Sequence, residues 1–494
     1  MRRPYLFAMI CVATLLSCSK PSLFKISSSP NPWVDDYSSF SGMEHYRSWG
    51  TYNVHDPACK KFGDYYYMYS TDAIYAKRME RTKERQAPPG YIQVRRSKDL
   101  VHWEFVGWAF PEIPQEAVEW VRSNADGRGA TNIWAPYIIK YKSIYRLYYC
   151  VSAFGRKASY IGLAESDSPE GPWLQRGCVL KTNDDTPMNA IDPSVIADPD
   201  TGKWWMCYGS FFGGLYCVQL NPATGLVKEA ADRGHLIARR ANYRKDNLEA
   251  PEIVYNPELK KYFLFVSYDP LMTTYNIRVG RSDSPEGPFV DYTGQVLADT
   301  TNNFPILTAP YRFDHHPGWA GTGHCGVYRE ENGCFFMFHQ ARLSPENQLM
   351  VLHVRQVFFN ADGWPVVSPE RYAASLTHKF QHADLVGKWE IIRIKEPQHE
   401  RNLEAGQIQQ GDVRLKENEQ NLSSHYYLKK DGTVSDKGSW IFNSDKQLLE
   451  IKLGDEVVKN LIIFAGHDWE NATETILFTG LDSTGRSVWG KLVK

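Results

Sequence analysis

Along most of this chain, apolar residues fall in short runs separated by Gly, Pro, Asn and Asp, which is the punctuation of β-strands and tight turns rather than the stripe of an amphipathic helix. One pattern recurs. A distinctive residue with a Pro or a small residue beside it opens an apolar strand, a polar turn follows, and a second strand dense in aromatics closes the unit. The copies begin at Asp56-Pro57 (DPACKKFGDYYYMYS), Trp134-Ala135-Pro136 (WAPYIIKYKSIYRLYYCVS), Asp192-Pro193 (DPSVIADPDTGKWWMCYGS), Glu249-Ala250-Pro251 (EAPEIVYNPELKKYFLFVSYD) and His324-Cys325-Gly326 (HCGVYREENGCFFMFHQA). Their starts lie 78, 58, 57 and 75 residues apart. Between the hairpins Ser166-Asp167-Ser168-Pro169-Glu170-Gly171-Pro172-Trp173 recurs as Ser282-Asp283-Ser284-Pro285-Glu286-Gly287-Pro288-Phe289, a turn into an outer strand.

Units of this size with about four strands each match propeller blades, which cannot bury both sheet faces alone but can when stacked around an axis. The repeats therefore predict an all-β, five-bladed propeller over residues 37–375. From about residue 384 to 494 the pattern changes to short alternating strands with Gly turns, which predicts a small β-barrel or sandwich with an accessory role. A polar stretch from Lys395 to Asn421 interrupts it.

The first residues form a separate unit. Arg2 and Arg3 precede an apolar stretch from Tyr5 to Leu16 that ends Leu15-Leu16-Ser17-Cys18. This is too short for a spanning helix and reads as a signal peptide, residues 1–17. The ending resembles a bacterial lipobox, which implies lipid on Cys18, with the Ser- and Pro-rich residues 18–36 as a tether. The expected location is a bacterial cell envelope, periplasmic or outer surface, with the membrane engaged only through that lipid.

Composition narrows the partners. With 56 Lys+Arg against 57 Asp+Glu the net charge is −1, so there is no global field for nucleic acid. Aromatics make up 14% of the chain, which suits a β-rich core and also sugar stacking. The cysteines beyond Cys18 lack CxxC spacing, so a zinc site is not expected and disulfides are permitted rather than demanded.

Because the first strand of every blade begins near the axis, the residues that open the repeats should converge: Asp56, Trp134, Asp192, Glu249 and His324. Asp-Pro also occurs at Asp198-Pro199 and Asp269-Pro270, where it is turn chemistry, so position in the repeat is what singles out Asp56 and Asp192. Glu252 competes with Glu249 locally, but strand alternation puts the two on opposite faces. Carboxylates across a sugar-sized cleft perform glycoside hydrolysis, one donating a proton to the leaving oxygen and another activating water, while a third raises the pKa of the acid. There is no GxSxG, P-loop, HExxH or GxGxxG signature.

The segments Val54-His55-Asp56-Pro57, Asn132-Ile133-Trp134-Ala135-Pro136, Asn189-Ala190-Ile191-Asp192-Pro193-Ser194, Tyr208-Gly209-Ser210-Phe211-Phe212-Gly213-Gly214, Leu248-Glu249-Ala250-Pro251, Thr274-Tyr275-Asn276 and Gly323-His324 together resemble glycoside hydrolase family 43, in particular its endo-1,5-α-L-arabinanases. The resemblance runs from about His45 to Val367 and implies a five-bladed propeller that hydrolyses internal α-1,5-arabinofuranosyl bonds of plant cell-wall arabinan with inversion, as a monomer. By motif it implies Asp56 as general base, Glu249 as general acid and Asp192 as the residue that tunes the acid. Substrate contacts would fall on Trp134, Phe154, Gly155, Asn189, Ala190, Ile191, Asp192, Gly209, Ser210 and Phe211, and His324 would stand beside a calcium ion, with no organic cofactor. Two departures, Ala73–Tyr91 and Glu112–Arg128, are positioned to wall the cleft. They keep open an exo-acting α-L-arabinofuranosidase or β-xylosidase on the same scaffold. A non-catalytic glycan-binding lipoprotein is the alternative of another class, and retention of all three carboxylates argues against it.

Overall fold

The structure, a computed structural model, describes residues 35–37, 43–72, 90–240, 246–299, 302–344, 350–375, 378–397, 415–435 and 438–494. The signal peptide, Cys18, nearly all of the tether, most of Ala73–Tyr91 and most of the polar stretch after Lys395 lie outside the described residues.

Four separate four-stranded sheets come first. They are β1 His55–Phe62, β2 Tyr65–Thr71, β3 Tyr91–Ser97 and β4 Glu104–Phe110; β5 Trp134–Tyr141, β6 Ile144–Ser152, β7 Ser159–Ser166 and β8 Leu174–Thr182; β9 Ser194–Ala197, β10 Trp204–Tyr208, β11 Leu215–Leu220 and β12 His235–Ala238; and β13 Leu248–Asn256, β14 Lys261–Tyr268, β15 Asn276–Ser282 and β16 Ile306–Thr308. A helix, α1 Gln115–Ser123, occupies the Glu112–Arg128 departure and packs on β6 and β7. The fifth repeat follows as β17 Tyr311–Arg312, β18 Trp319–Ala320, β19 Cys325–Arg329, β20 Phe335–Leu343, β21 Met350–Phe359 and β22 Pro365–Val367.

Here the five-equal-blade expectation needs correction: four separate blades are present, and the fifth repeat lies in a seven-stranded sheet. The reason is the length of β20, which pairs with β19 through Phe335–His339 and has Arg342 and Leu343 left over to pair with β18. That extension carries the sheet on to β17 and to a strand from the C-terminal part. The inner strands still contact one another in a closed ring, β1 with β5, β5 with β9, β9 with β13, β13 with β19 and β19 with β1.

The aromatic second strands β2, β6, β10, β14 and β20 are buried almost throughout, because each lies inside a sheet covered on both faces by neighbouring sheets. Outer strands such as β4 and β8 are largely open to solvent at their first residues. Below the ring's polar end, the axis is plugged. Lys60 donates to the Val327 carbonyl at 3.1 Å, and Glu252 accepts from Ser194 Oγ at 2.7 Å and from the Val327 N–H at 3.0 Å, with Lys60 3.7 Å away. Glu252 thus ties three repeats together in a second polar layer, separate from Glu249.

The C-terminal part is a closed eight-stranded barrel, which decides between the two expected forms. Its strands are β23 Gly387–Arg393, β25 Ser424–Leu428, β26 Thr433–Val434, β27 Gly438–Asn443, β28 Leu448–Leu453, β29 Glu456–Asp468, β30 Thr473–Leu481 and β31 Ser487–Val493, with β24 Asn421–Leu422 leaving to pair in parallel with β17. Trp389, Phe478, Leu449 and Ile451 fill its interior. The seam is extensive: Trp489 meets the Tyr311 ring edge-on at 5.3 Å, and Ser487 Oγ donates to the Ile306 carbonyl at 2.9 Å. Lys491, fully buried, reaches Glu370 and Asp468 at 2.9 Å each and Glu470 as well. The seven cysteines beyond Cys18 are free thiols, and among the described residues no helix is long and apolar enough to cross a membrane.

The Lys491 cluster yields a stability prediction. Lys491→Met removes the one ammonium from three buried carboxylates and should destabilise the protein by about 3–5 kcal/mol. Urea unfolding followed by tryptophan fluorescence measures it; an unchanged midpoint would mean that the seam does not depend on this charge.

Candidate active site

Every repeat enters its inner strand through a residue with left-handed backbone: Asp56 (φ 51°), Ala135 (φ 39°), Asp192 (φ 56°), Ala250 (φ 56°) and His324 (φ 49°). For side chains other than Gly this costs about 1–3 kcal/mol each, so a device repeated in all five copies has a purpose. Register breaks follow at His55/Ala58, Trp134/Tyr137 and Glu249/Glu252, the signature of bulges that re-aim a side chain. Asp56, Asp192, Glu249 and His324 are brought close enough that the three carboxylates together lift the His324 imidazole, against burial, to about 9.

Asp56 is the most constrained of them. Thr71 Oγ donates to its Oδ2 at 2.8 Å, and the same hydroxyl accepts the Ala135 N–H at 2.8 Å, so the hydroxyl hydrogen is committed to Asp56. His324 Nδ1 lies 2.8 Å from Oδ1. His55 Nδ1 lies 2.6 Å from the same oxygen, as a close polar contact without an aligned N–H···O bond. Gln340 holds the assembly from behind, accepting the Asp56 N–H at 3.0 Å and reaching His55 Nε2 at 3.2 Å. Burial pushes the Asp56 carboxyl up, but His324 and His55 outweigh it and hold the group well below the usual carboxylate range.

Glu249 has the opposite environment. Its partners are hydroxyls, Tyr275 on Oε1 at 2.7 Å and Ser210 on Oε2 at 2.8 Å. Burial raises its pKa and the two hydroxyls only moderate the rise. Asp192 is lifted well above its ordinary value by burial, with the charges of Glu249 and Asp56 adding to it against the pull of His324. It accepts the Ala250 N–H at 3.1 Å, and its own N–H points to Cys150 Sγ at 3.2 Å. At neutral pH the ring therefore holds one ionised carboxylate, two groups biased toward protonation and one imidazolium.

The other expected residues divide. Trp134 is half-buried and meets Phe154 at 6.5 Å and 63°, and Phe154 is 49% exposed, so this pair offers the aromatic surface of the site. Gly155 follows it in a left-handed turn. Asn189, Ala190 and Ile191 are buried and bonded internally, Asn189 to Ser159 at 2.6 Å and Ala190 to Thr182 at 3.0 Å; Ala190, 0% exposed, offers a ligand no surface. The Gly209 N–H is bonded to the Ile191 carbonyl, and the Phe211 N–H to that of Leu248. Ser210 is committed to Glu249. Four residues that sequence reasoning left without a role, His55, Thr71, Tyr275 and Gln340, hold the carboxylates. Two of them, His55 and Tyr275, stand in the quoted motifs next to Asp56 and Asn276. Tyr275 also explains a glycine: a Cβ on Gly323 would lie 2.1 Å from its ring.

The calcium that the resemblance implies beside His324 would have mostly water as its remaining ligands. Calcium takes six to eight oxygens, whereas His324 Nδ1 faces Asp56, and among the described residues no three His, Cys, Asp or Glu ligand atoms converge there. The chemistry that this geometry supports is carried by side chains.

The chain is similar to known proteins along most of its length. Residues 50–365 match the profile of glycosyl hydrolases family 43, and residues 369–490 match its C-terminal lipocalin-like domain. The extracellular endo-α-(1→5)-L-arabinanase of Thermotoga petrophila is 31% identical over 486 residues, covering 88% of this chain and 93% of that protein. The crystal structure of the Thermotoga petrophila RKU-1 endo-1,5-α-L-arabinanase superposes with a TM-score of 0.73 at 27% identity, over 90% of this chain and 99% of that one. An extracellular exo-α-(1→5)-L-arabinofuranosidase of Cellvibrio japonicus is 30% identical over 67% of this chain and 90% of its own.

Tyr275 provides a check on the electrostatics. Its O–H stabilises the ionised form of Glu249, so in Tyr275→Phe the Glu249 pKa should rise further and the carboxyl should stay protonated to higher pH. Carbon-13 NMR titration of glutamate-labelled protein, with Glu249→Gln to assign the signal, reads this; a fall in the pKa would contradict the assignment.

Proposed function

The chain belongs to glycosyl hydrolase family 43, and from that premise we propose that it hydrolyses internal α-1,5-L-arabinofuranosyl bonds of arabinan by a single displacement with inversion. The observation that carries the mechanism is the split in the carboxylates: Asp56 held ionised by two imidazoles and Thr71, and Glu249 raised by burial and met only by hydroxyls. The endo assignment rests on the full-length similarity, which includes the barrel.

Asp56 acts as the base. Its Oδ1 is enclosed by His55 and His324, whereas Oδ2 carries only the Thr71 hydroxyl, so Oδ2 is the oxygen that receives the water. Glu249, protonated before reaction, gives its proton to the departing glycosidic oxygen. As it ionises, Tyr275 and Ser210 stabilise the carboxylate that forms. Asp192 sits behind this exchange, biased toward its neutral form and tied to the Ala250 N–H directly after the acid. The pH profile of kcat/KM should have its acid limb low, from Asp56, and its basic limb above the ordinary glutamate range, from Glu249. Phe154 and Trp134 supply the sugar-facing aromatic surface.

Asp56→Ala and Glu249→Ala should each lower kcat/KM on arabinan by about 10²–10⁴-fold without loss of fold. The two losses differ in kind. A substrate with a nitrophenolate leaving group should restore Glu249→Ala toward wild type and leave Asp56→Ala inactive; equal rescue of both would reverse or remove the assigned roles. Linear debranched arabinan should yield mixed short oligomers from the first minutes, and arabinose alone would make the enzyme exo-acting.

We further propose that the protein is held at the bacterial envelope by lipid on Cys18, on the evidence of the Arg2-Arg3 and Leu15-Leu16-Ser17-Cys18 segments. Cys18→Ala should move the protein from the membrane fraction to the soluble fraction, and an unchanged membrane fraction would remove the anchor.

A further inference from the structure

We propose that Asp314, Glu390 and His425 form a site for a divalent transition metal of the zinc class, which clasps the C-terminal barrel to the propeller-like part. Glu390 and His425 are register partners on β23 and β25, so their side chains stand side by side on one barrel face. Asp314 comes from the other part of the protein, two residues past β17. One ligand atom from each of the three lies within 4.8 Å of the others. His425 Nε2 is 2.8 Å from Asp314 Oδ2, and the Asp314 N–H donates to Glu390 Oε2 at 2.9 Å.

The second, independent observation is a charge without compensation. Glu390 is 2% exposed, and among the described residues it has that single N–H as its hydrogen-bond partner and no Lys or Arg within ion-pair distance. Its register neighbour on the opposite side is Lys491, which would be the natural partner. Lys491 is already enclosed by Glu370, Asp468 and Glu470, so that side of the seam also carries more carboxylates than cations. Buried carboxylates are paired with cations or coordinate metals. With Lys491 turned to its own three carboxylates, the groups in contact with Glu390 among the described residues are those of Asp314 and His425, a combination that a metal ion satisfies.

The donor set selects the class of metal. One imidazole nitrogen and two carboxylate oxygens are donor types that zinc accepts, three in number with a fourth position left for water, whereas calcium takes six to eight oxygens. The side chains of His425 and Asp314 are 38% and 44% exposed, which provides the path of entry. The other cluster of three acids in the protein, Glu370, Asp468 and Glu470, fails the same test because the Lys491 ammonium already occupies the cation position.

The test uses the whole protein, stripped by chelator, loaded with ZnCl2, passed through gel filtration and measured for bound zinc by mass spectrometry. His324→Ala is run in parallel, so that any ion at the catalytic ring is counted separately. The expected result is one equivalent of zinc that persists in His324→Ala and is lost in His425→Ala and in Glu390→Gln. The rise in Tm that zinc gives the wild type should also be lost in His425→Ala, with hydrolysis of arabinan unchanged. His425 lies at the surface of the barrel, and Asp314→Asn gives a second probe from the other side of the seam. Absence of retained zinc in the wild type, or equal zinc in wild type, His425→Ala and Glu390→Gln, overturns the proposal and leaves a simple His–Asp contact.

Discussion

Four ionisable groups share one end of the axis, and their mutual electrostatics decide what each is. Three carboxylates buried together cannot all ionise. The protein resolves this by unequal partners: Asp56 and Asp192 are equally buried and Glu249 is half-buried, yet Asp56 is the one flanked by two imidazoles. Two imidazoles and a committed hydroxyl fix the charge on Asp56, and its charge in turn makes the His324 imidazolium and discourages ionisation of the other two acids. The left-handed entry to each inner strand is what makes the convergence possible. That backbone strain is tolerated because neighbouring repeats hold it from both sides, as Thr71 does for Asp56 and Ala135.

Much of the fold was legible because each repeat states the same local facts: a marked opening residue, a period-two strand, a turn and an aromatic strand. Tandem repetition turns weak strand signals into strong ones, and the outcome kept strands β1–β16 in the predicted order. The sequence was less informative where one sheet joins another. Nothing in the residues of β20 announces that its last positions will pair with β18, since edge pairing depends on which backbone groups are left open after the blades have stacked. The choice between barrel and sandwich was likewise settled only by the pairing of β23 with β31, a contact between the ends of that part of the chain.

In the site, the opening residues were legible and their supports were not. Asp56, Asp192, Glu249 and His324 are found by position within a repeat, a one-dimensional property. Thr71 and Gln340 act through positions at the ends of β2 and within β20, and Gln340 reaches Asp56 from 284 residues away. Ser210 has a role beyond the substrate contact that the resemblance implies. Its hydroxyl serves Glu249, because the bridge between Ser210 and Glu249 sets the two side by side. The Glu249/Glu252 pair was not separable by strand period, because the bulge between them sets Glu249 opposite Ser267 and Glu252 opposite Phe265, two residues apart on β14, and the acids stand in successive layers along the axis.

The imbalance between base and acid has a chemical logic. In a displacement with oxocarbenium character, the bond to the leaving group is well advanced before water attacks, so the water needs orientation and a charge to receive its proton more than a strong base. A carboxylate held far below its usual pKa is a weak base, yet it stays ionised throughout the pH window between its own pKa and that of Glu249, where the acid is still protonated. The leaving alkoxide, by contrast, is very basic and requires a proton delivered at the right moment. Among the described residues Glu249 accordingly has no cationic partner in direct contact, and two hydroxyls hydrogen-bond it more strongly once the proton has left. Asp56 is thus arranged for constancy and Glu249 for change. A single left-handed entry, repeated around the axis, delivers both because what differs most between the repeats is the set of partners.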